Sequence, residues 1–180
     1  GNFNYISGLD HSFAAASTFF FVSRHRHKLD PTYKMTSPLL RKGVDILQRR
    51  GCDIGLHGTI PSAGNSGFLE LEKEELEFII GREIAGGRQH YLCYTDATLP
   101  LWQAANIKYD STLGFSDYTG YRCGTSFPFQ LHDGEKQVAL LEIPLILMDT
   151  VLFLESKRHL PAADAWRLIE RHLQETRANN

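Results

Sequence analysis

Two histidines, His57 and His90, stand in this sequence with one arginine and a series of acids, most of them at the end of a short apolar run. Neutral imidazole together with carboxylate suits zinc, and a site that keeps one position open can activate a water. His57 follows Asp53-Ile54-Gly55-Leu56, a run that is short, apolar and bounded by glycines, as a buried strand should be. Arg88 and His90 belong to the next candidate strand, Asp110 ends the one after, and Asp117, Arg122 and Asp149 come later. In a parallel α/β sheet the carboxyl ends of the strands open on one face, so these groups would meet there. Arg88 could then orient a carboxylate through two parallel hydrogen bonds.

Each group also has a plainer reading. His57 could bond only its own loop, Arg88 could be an ion pair at a strand start, and His90 could face the core with a satisfied ring nitrogen. Asp110 before Ser111-Thr112 could be only a turn or cap. Asp149 follows Leu145-Ile146-Leu147-Met148, and an acid there would be costly to bury unpaired. His25-x-His27 has the spacing of a metal pair, but Arg24, Arg26 and Lys28 flank it, and three cations disfavour a dication. That segment reads as a solvated loop, and Glu72-Lys73-Glu74-Glu75 as a solvated helix face. Cys52, Cys93 and Cys123 are too few and too scattered for a disulfide framework or a CxxC metal site, and read as small buried thiols.

The elements that must position these groups alternate. Tyr5–Ala15 contains the end of a helix, and Ser17–Val22 is aromatic and β-branched, a buried strand. Ser37-Pro38 starts a helix with Leu40, Val44 and Leu47 on one stripe, and Gly51 ends it. After the His57 loop, Leu76, Ile79, Ile80 and Ile84 give a second helix its buried face, with Glu72, Lys73, Glu75 and Arg82 outside. Arg88–Cys93 is the next strand, Thr98–Ala105 a short helix, and Ile107–Tyr109 a further strand. Gly114–Phe129 reads as a long ordered loop and Val138–Met148 as one or two strands. Pro161 opens a last helix, with Ala162, Ala165, Trp166, Ile169 and Leu173 on one face. Strands alternating with helices predict a parallel sheet, open or closed into a barrel.

The bulk numbers narrow the class. The 180 residues suffice for one domain, and 42% hydrophobic with 22% charged is ordinary globular composition. The net charge is -2 and no basic stripe with interleaved aromatics is present, which argues against a nucleic-acid partner. The most apolar run, Val138–Leu154, is interrupted by Glu142, Pro144 and Asp149, so no membrane span is expected.

The ordered set Ser17-Thr18-Phe19-Phe20-Phe21, Asp53-Ile54-Gly55-Leu56-His57, Arg88-Gln89-His90-Tyr91-Leu92, Asp110-Ser111-Thr112-Leu113-Gly114-Phe115 and Gly120-Tyr121-Arg122-Cys123-Gly124-Thr125 resembles the polysaccharide deacetylase-like superfamily, in particular a divergent bacterial branch. The resemblance runs across nearly the whole chain. It implies an α/β fold, a distorted (β/α) barrel, and hydrolysis of N-acetyl groups on a carbohydrate with a divalent metal, commonly Zn2+. It places His57 at the first His of the family's H(S/T)xxH loop, while Pro61 stands where the second His belongs. His90 occupies the Pro position of the Arg-x-Pro-(Tyr/Phe) motif and could supply the missing imidazole; Arg88 matches its Arg.

Two further departures concern the family's acid and base. The paired aspartates expected before the Ser17 strand and the Leu-x-x-His motif expected after the last helix are not in this sequence. The expectation is one catalytic domain over residues 1–180, incomplete at both ends. The metal ligands would be His57 and His90. Arg88, Asp110 and Asp149 would serve the catalytic centre, and Thr59, Tyr91, Phe115, Asp117, Tyr121 and Arg122 would line the carbohydrate site. The phenyl and phenol rings of the 114–129 loop could equally be core. The alternatives are a non-catalytic carbohydrate-binding relative with a degraded metal site, or a different metal hydrolase built on His25 and His27.

Overall fold

The computed structural model describes residues 2–179. Helix α1 (Asn2–Ser12) leads to strand β1 (Thr18–Phe21), whose three phenylalanines form the rim of the sheet. Helix α2 (Pro38–Arg49) starts as its sequence demands: the Ser37 hydroxyl accepts from the Leu40 amide and Pro38 occupies the first turn. It buries Gly43, Val44 and Leu47. Strand β2 (Asp53–Gly58) passes through a 3-10 turn (Ile60–Gly64) into α3 (Ser66–Ile80). Asn65 caps α3 by accepting from the Phe68 amide, and Gly81, at φ 73°, ends it in the left-handed conformation glycine tolerates.

Strand β3 (Gly86–Gln89), helix α4 (Thr98–Ala104) and strand β4 (Tyr109–Asp110) follow. Then come β5 (Phe129–Asp133), β6 (Lys136–Glu142), α5 (Asp149–Phe153) and α6 (Ala162–Ala178). The six strands form one open sheet in the order β1-β2-β3-β4-β6-β5. Every pairing is parallel except that of β5 with β6. The parallel register brings the carboxyl ends of β1, β2, β3, β4 and β6 to one side. Between the sheet and its helices lies a core of Leu47, Ile54, Leu56, Leu69, Leu76, Trp102, Ile107 and Leu140. No helix among the described residues is long and apolar enough to cross a membrane.

Strand β2 shows how the sequence positions the site. Ile54 and Leu56 are fully buried, and the alternation of side chains turns Gly55 and His57 to the opposite face. A Cβ on Gly55 would lie 2.7 Å from the Gly86 carbonyl oxygen and 2.7 Å from the Phe20 ring. The backbone oxygen cannot yield, so Gly55→Ala should destabilise the fold by about 1–3 kcal/mol. Chemical denaturation monitored by circular dichroism would measure this; an unchanged midpoint would contradict the packing.

Four expectations are corrected. The strand expected over Arg88–Cys93 ends at Gln89, and His90–Leu92 forms a 3-10 turn in which Tyr91 (φ 57°) and Leu92 (φ 52°) are left-handed. Glu72 is completely buried rather than solvated, because Arg26 and Thr59 from distant segments close over it. Helix α6 buries Ala165, Leu168 and His172, whereas Trp166 and Leu173 remain about half exposed. Its inner face is set by packing against Leu147, Leu152 and Leu160 and by the bond between His172 and Thr119. Of the cysteines, all free, only Cys52 is buried; Cys93 and Cys123 are partly exposed.

Candidate active site

His57 lies at the carboxyl end of β2, directly across from Arg88 on β3. Its Nδ1 is 2.8 Å from the Arg88 carbonyl oxygen. A carbonyl can only accept, so Nδ1 carries the hydrogen and Nε2 keeps its lone pair. Burial pushes the His57 pKa down to about 4, against the carbonyl hydrogen bond and with help from the neighbouring His90 and Arg88. The ring is therefore neutral at pH 7, the form that ligates metals.

The His90 ring centroid is 5.0 Å from that of His57, with the rings steeply inclined. His90 Nδ1 lies 3.0 Å from Oδ1 of Asp30, a buried acid in the loop between β1 and α2. Asp30 also accepts from the amides of Arg26 (3.1 Å), His27 (2.8 Å) and Ile60 (3.4 Å). Burial alone would raise its pKa, but the bonds from His90 and these amides more than offset that and hold it below the usual carboxylate value.

Arg88 grips differently from what its motif suggested. Its Nε donates to the Ser111 carbonyl (2.9 Å) and its Nη2 to the Ser111 hydroxyl (2.8 Å), so a serine takes both prongs expected for a carboxylate. The guanidinium carbon sits 4.9 Å over the Phe20 ring, a second restraint on its position. Asp110 lies beneath, fully buried, with Oδ1 accepting from Thr112. Its partner in register on β6 is Glu142, equally buried, with Oε1 accepting from the Leu113 amide. The other oxygens, Asp110 Oδ2 and Glu142 Oε2, have no hydrogen-bond partner among the described residues. Burial first and Asp110 second raise the Glu142 pKa to about 8; burial raises that of Asp110 to about 6. These acids back the site rather than enter it.

His57, Arg88 and His90 open into a cavity of about 610 Å3, which Phe19, Phe20, Tyr91, Leu92, Met148 and Leu154 also line. Tyr91 projects at the mouth, 59% exposed. Lys157 enters the wall from the segment after α5 and pairs with the exposed Asp117. Phe19, Phe20 and Met148 were not foreseen as site residues. The run of three phenylalanines beside a chemical strand was a usable signal, whereas nothing local marks Met148 or Asp30.

The remaining expected residues fall outside this cavity. Asp149 is exposed at the first position of α5 and bonds the Thr150 amide, so it is not the buried acid its apolar neighbours suggested. Thr59 is buried against Glu72 through its amide and hydroxyl. Phe115 packs edge-on to Tyr118. Tyr121 donates to the His172 carbonyl and Arg122 to the Gly114 carbonyl, which braces the 114–128 loop. His25 and His27 serve the Asp30 loop: His25 Nδ1 bonds the Asp30 carbonyl, and His27 Nδ1 accepts from the Leu29 amide.

As a metal centre the site is half furnished. His57 presents a free lone pair and His90 stands beside it, two donors of the kind zinc takes. Among the described residues no group of three or more His, Cys, Asp or Glu is placed to hold a metal ion.

No protein-family model and no curated protein matches the chain. Solved structures do. One, from Mycobacterium smegmatis and assigned as a polysaccharide deacetylase, matches with a TM-score of 0.69 at 19% identity. The match covers 98% of this chain and 59% of that one. Another, from Bordetella bronchiseptica and assigned as a polysaccharide deacetylase of O-antigen biosynthesis, gives a TM-score of 0.48 at 15% identity, covering 80% of this chain and 52% of that one. The first likeness shows the fold: the α/β sheet is of the type found in the (β/α) barrel of polysaccharide deacetylases, not closed among the described residues, and the chain spans less than two thirds of that structure's length.

Proposed function

We propose that this fold serves a carbohydrate deacetylase, a metal-dependent hydrolase that cleaves the amide of an N-acetyl sugar. The observation that carries the reading is the meeting of His57, at the end of β2, and His90, in the turn after β3, at one cavity of a polysaccharide deacetylase fold. Pro61 removes the imidazole one turn after His57, and His90 supplies another beside it.

His57 and His90 would hold a divalent metal, most simply Zn2+, whose chemistry is Lewis-acid polarisation of the amide carbonyl. Arg88, locked onto Ser111, fixes the strand end from which the His57 ring takes its orientation. The Tyr91 ring and the Phe19–Phe20 wall offer apolar faces for a sugar ring. No carboxylate lines the cavity among the described residues.

The test is zinc content after dialysis, with acetate release from N-acetylated oligosaccharides. Wild type should retain zinc, and His57→Ala and His90→Ala should each weaken its binding at least tenfold. Unchanged occupancy in both variants would remove the reading. The substitution Pro61 and the two-donor site favour one second reading, a carbohydrate-binding relative without catalysis. It predicts glycan binding with neither zinc nor acetate release.

A further inference from the structure

We infer that Asp30 is the positioning residue for His90, holding its Nδ1 as the N–H donor and so leaving Nε2 as the nitrogen free for a ligand. The inference deepens the proposed metal site, but its geometry stands without it. The Asp30 carboxylate is fully buried and surrounded by donors: Oδ2 receives the Arg26 and His27 amides, and Oδ1 receives the Ile60 amide and faces His90 Nδ1. Three backbone amides already donate to its two oxygens, so the group is held as an ionised acceptor. The nitrogen facing Oδ1 must then be the donor. His57 is fixed the same way by a backbone carbonyl, so the two rings present the same nitrogen. Asp30 joins three segments distant in sequence, the β1–α2 loop, the turn after His57 and the turn after β3. Its position is thereby set independently of His90, which is what a residue that dictates a tautomer requires.

A residue that merely braces its loop makes a different prediction from one that sets the tautomer, and Asp30→Asn separates them. The amide has one acceptor oxygen and one donor nitrogen. Two backbone amides at 2.8 and 3.1 Å claim the oxygen, against one at 3.4 Å on the other side. The NH2 group is then turned to His90 Nδ1, which must accept, and the ring hydrogen moves to Nε2. Histidine side-chain 15N NMR on the full chain reads this directly. We expect His90 as Nδ1–H in wild type and as Nε2–H in Asp30→Asn, with the Arg26 and His27 amide shifts retained. Zinc affinity should fall about tenfold to a hundredfold.

An Nε2–H ring in wild type overturns the inference whether or not the variant folds. So does an unchanged tautomer in Asp30→Asn. Zinc that binds neither protein while the tautomer inverts would overturn the metal reading and support the role of Asp30.

Discussion

Glu72→Ala should lower the unfolding free energy by about 3–5 kcal/mol. The carboxylate accepts the Thr59 amide at 3.0 Å, the Thr59 hydroxyl at 2.6 Å and Arg26 Nε at 2.8 Å, all within a region where Glu72 and Thr59 have no solvent exposure. Alanine leaves a buried amide, a buried hydroxyl and a largely buried guanidinium without their partner. Arg26 Nη2 has no partner among the described residues, so after the loss the guanidinium would keep chiefly its stacking over the Phe68 ring at 4.2 Å. Against a typical total of about 5–15 kcal/mol, the variant should be visibly less stable at room temperature. Urea titration followed by Trp102 fluorescence would measure it, since that ring is buried. A change below about 0.5 kcal/mol, the range of ordinary surface substitutions, would mean that Glu72 lies on a solvated face after all. Replacing Arg26 and Glu72 together by apolar residues should recover part of the loss, because the charge and its partner leave together.

Glu142→Gln should do the opposite, and only in alkaline solution. The Glu142 pKa is raised from its usual value to about 8, by burial and then by Asp110 across the strand pairing. An acid with a raised pKa favours the folded state in its neutral form. Its contribution is whole below the unfolded value near 4.5, shrinks as pH rises, and is gone above about 8. Asp110, raised to about 6, acts in the same direction over a lower range. Glutamine cannot ionise, and its oxygen can still accept the Leu113 amide. Melting curves should therefore coincide near pH 4 and diverge towards pH 9, with the variant ahead by on the order of 3 kcal/mol. Curves that run parallel across that range would show that Glu142 is solvated when charged.

What the sequence made legible was local. A short glycine-bounded run marked β2, Ser37-Pro38 marked the start of α2, and the placement of His57 and Arg88 at neighbouring strand ends followed from parallel pairing, whereas α3, expected to carry Ile84, already ends at Ile80 with Gly81 as its cap. The β5–β6 hairpin carried a readable signal in Asp133-Gly134, a dipeptide suited to a turn with positive φ, and Gly134 has φ 61°. What escaped was set by distant partners. Glu72 sits in a charge run indistinguishable from a surface face until Arg26 is folded over it. Asp30 precedes a proline in a polar loop and acquires its role only when the β3 turn comes beside it. The expectation for Asp149 failed the other way, since strand β6 ends at Glu142, only an isolated bridge at Leu145 follows, and the acid falls at a helix start.

The turn carrying Tyr91 and Leu92 places two side-chain-bearing residues in succession where glycine is at ease. Each holds that conformation at a cost of roughly 1–2 kcal/mol. Directed evolution for heat tolerance would thus find its easiest gains there, and glycine at either position would strip an aromatic or aliphatic surface from the rim. The rim that the proposed sugar site would use is thus also where the backbone is strained, so a hardened version of this protein would be expected to lose that binding before it lost its shape.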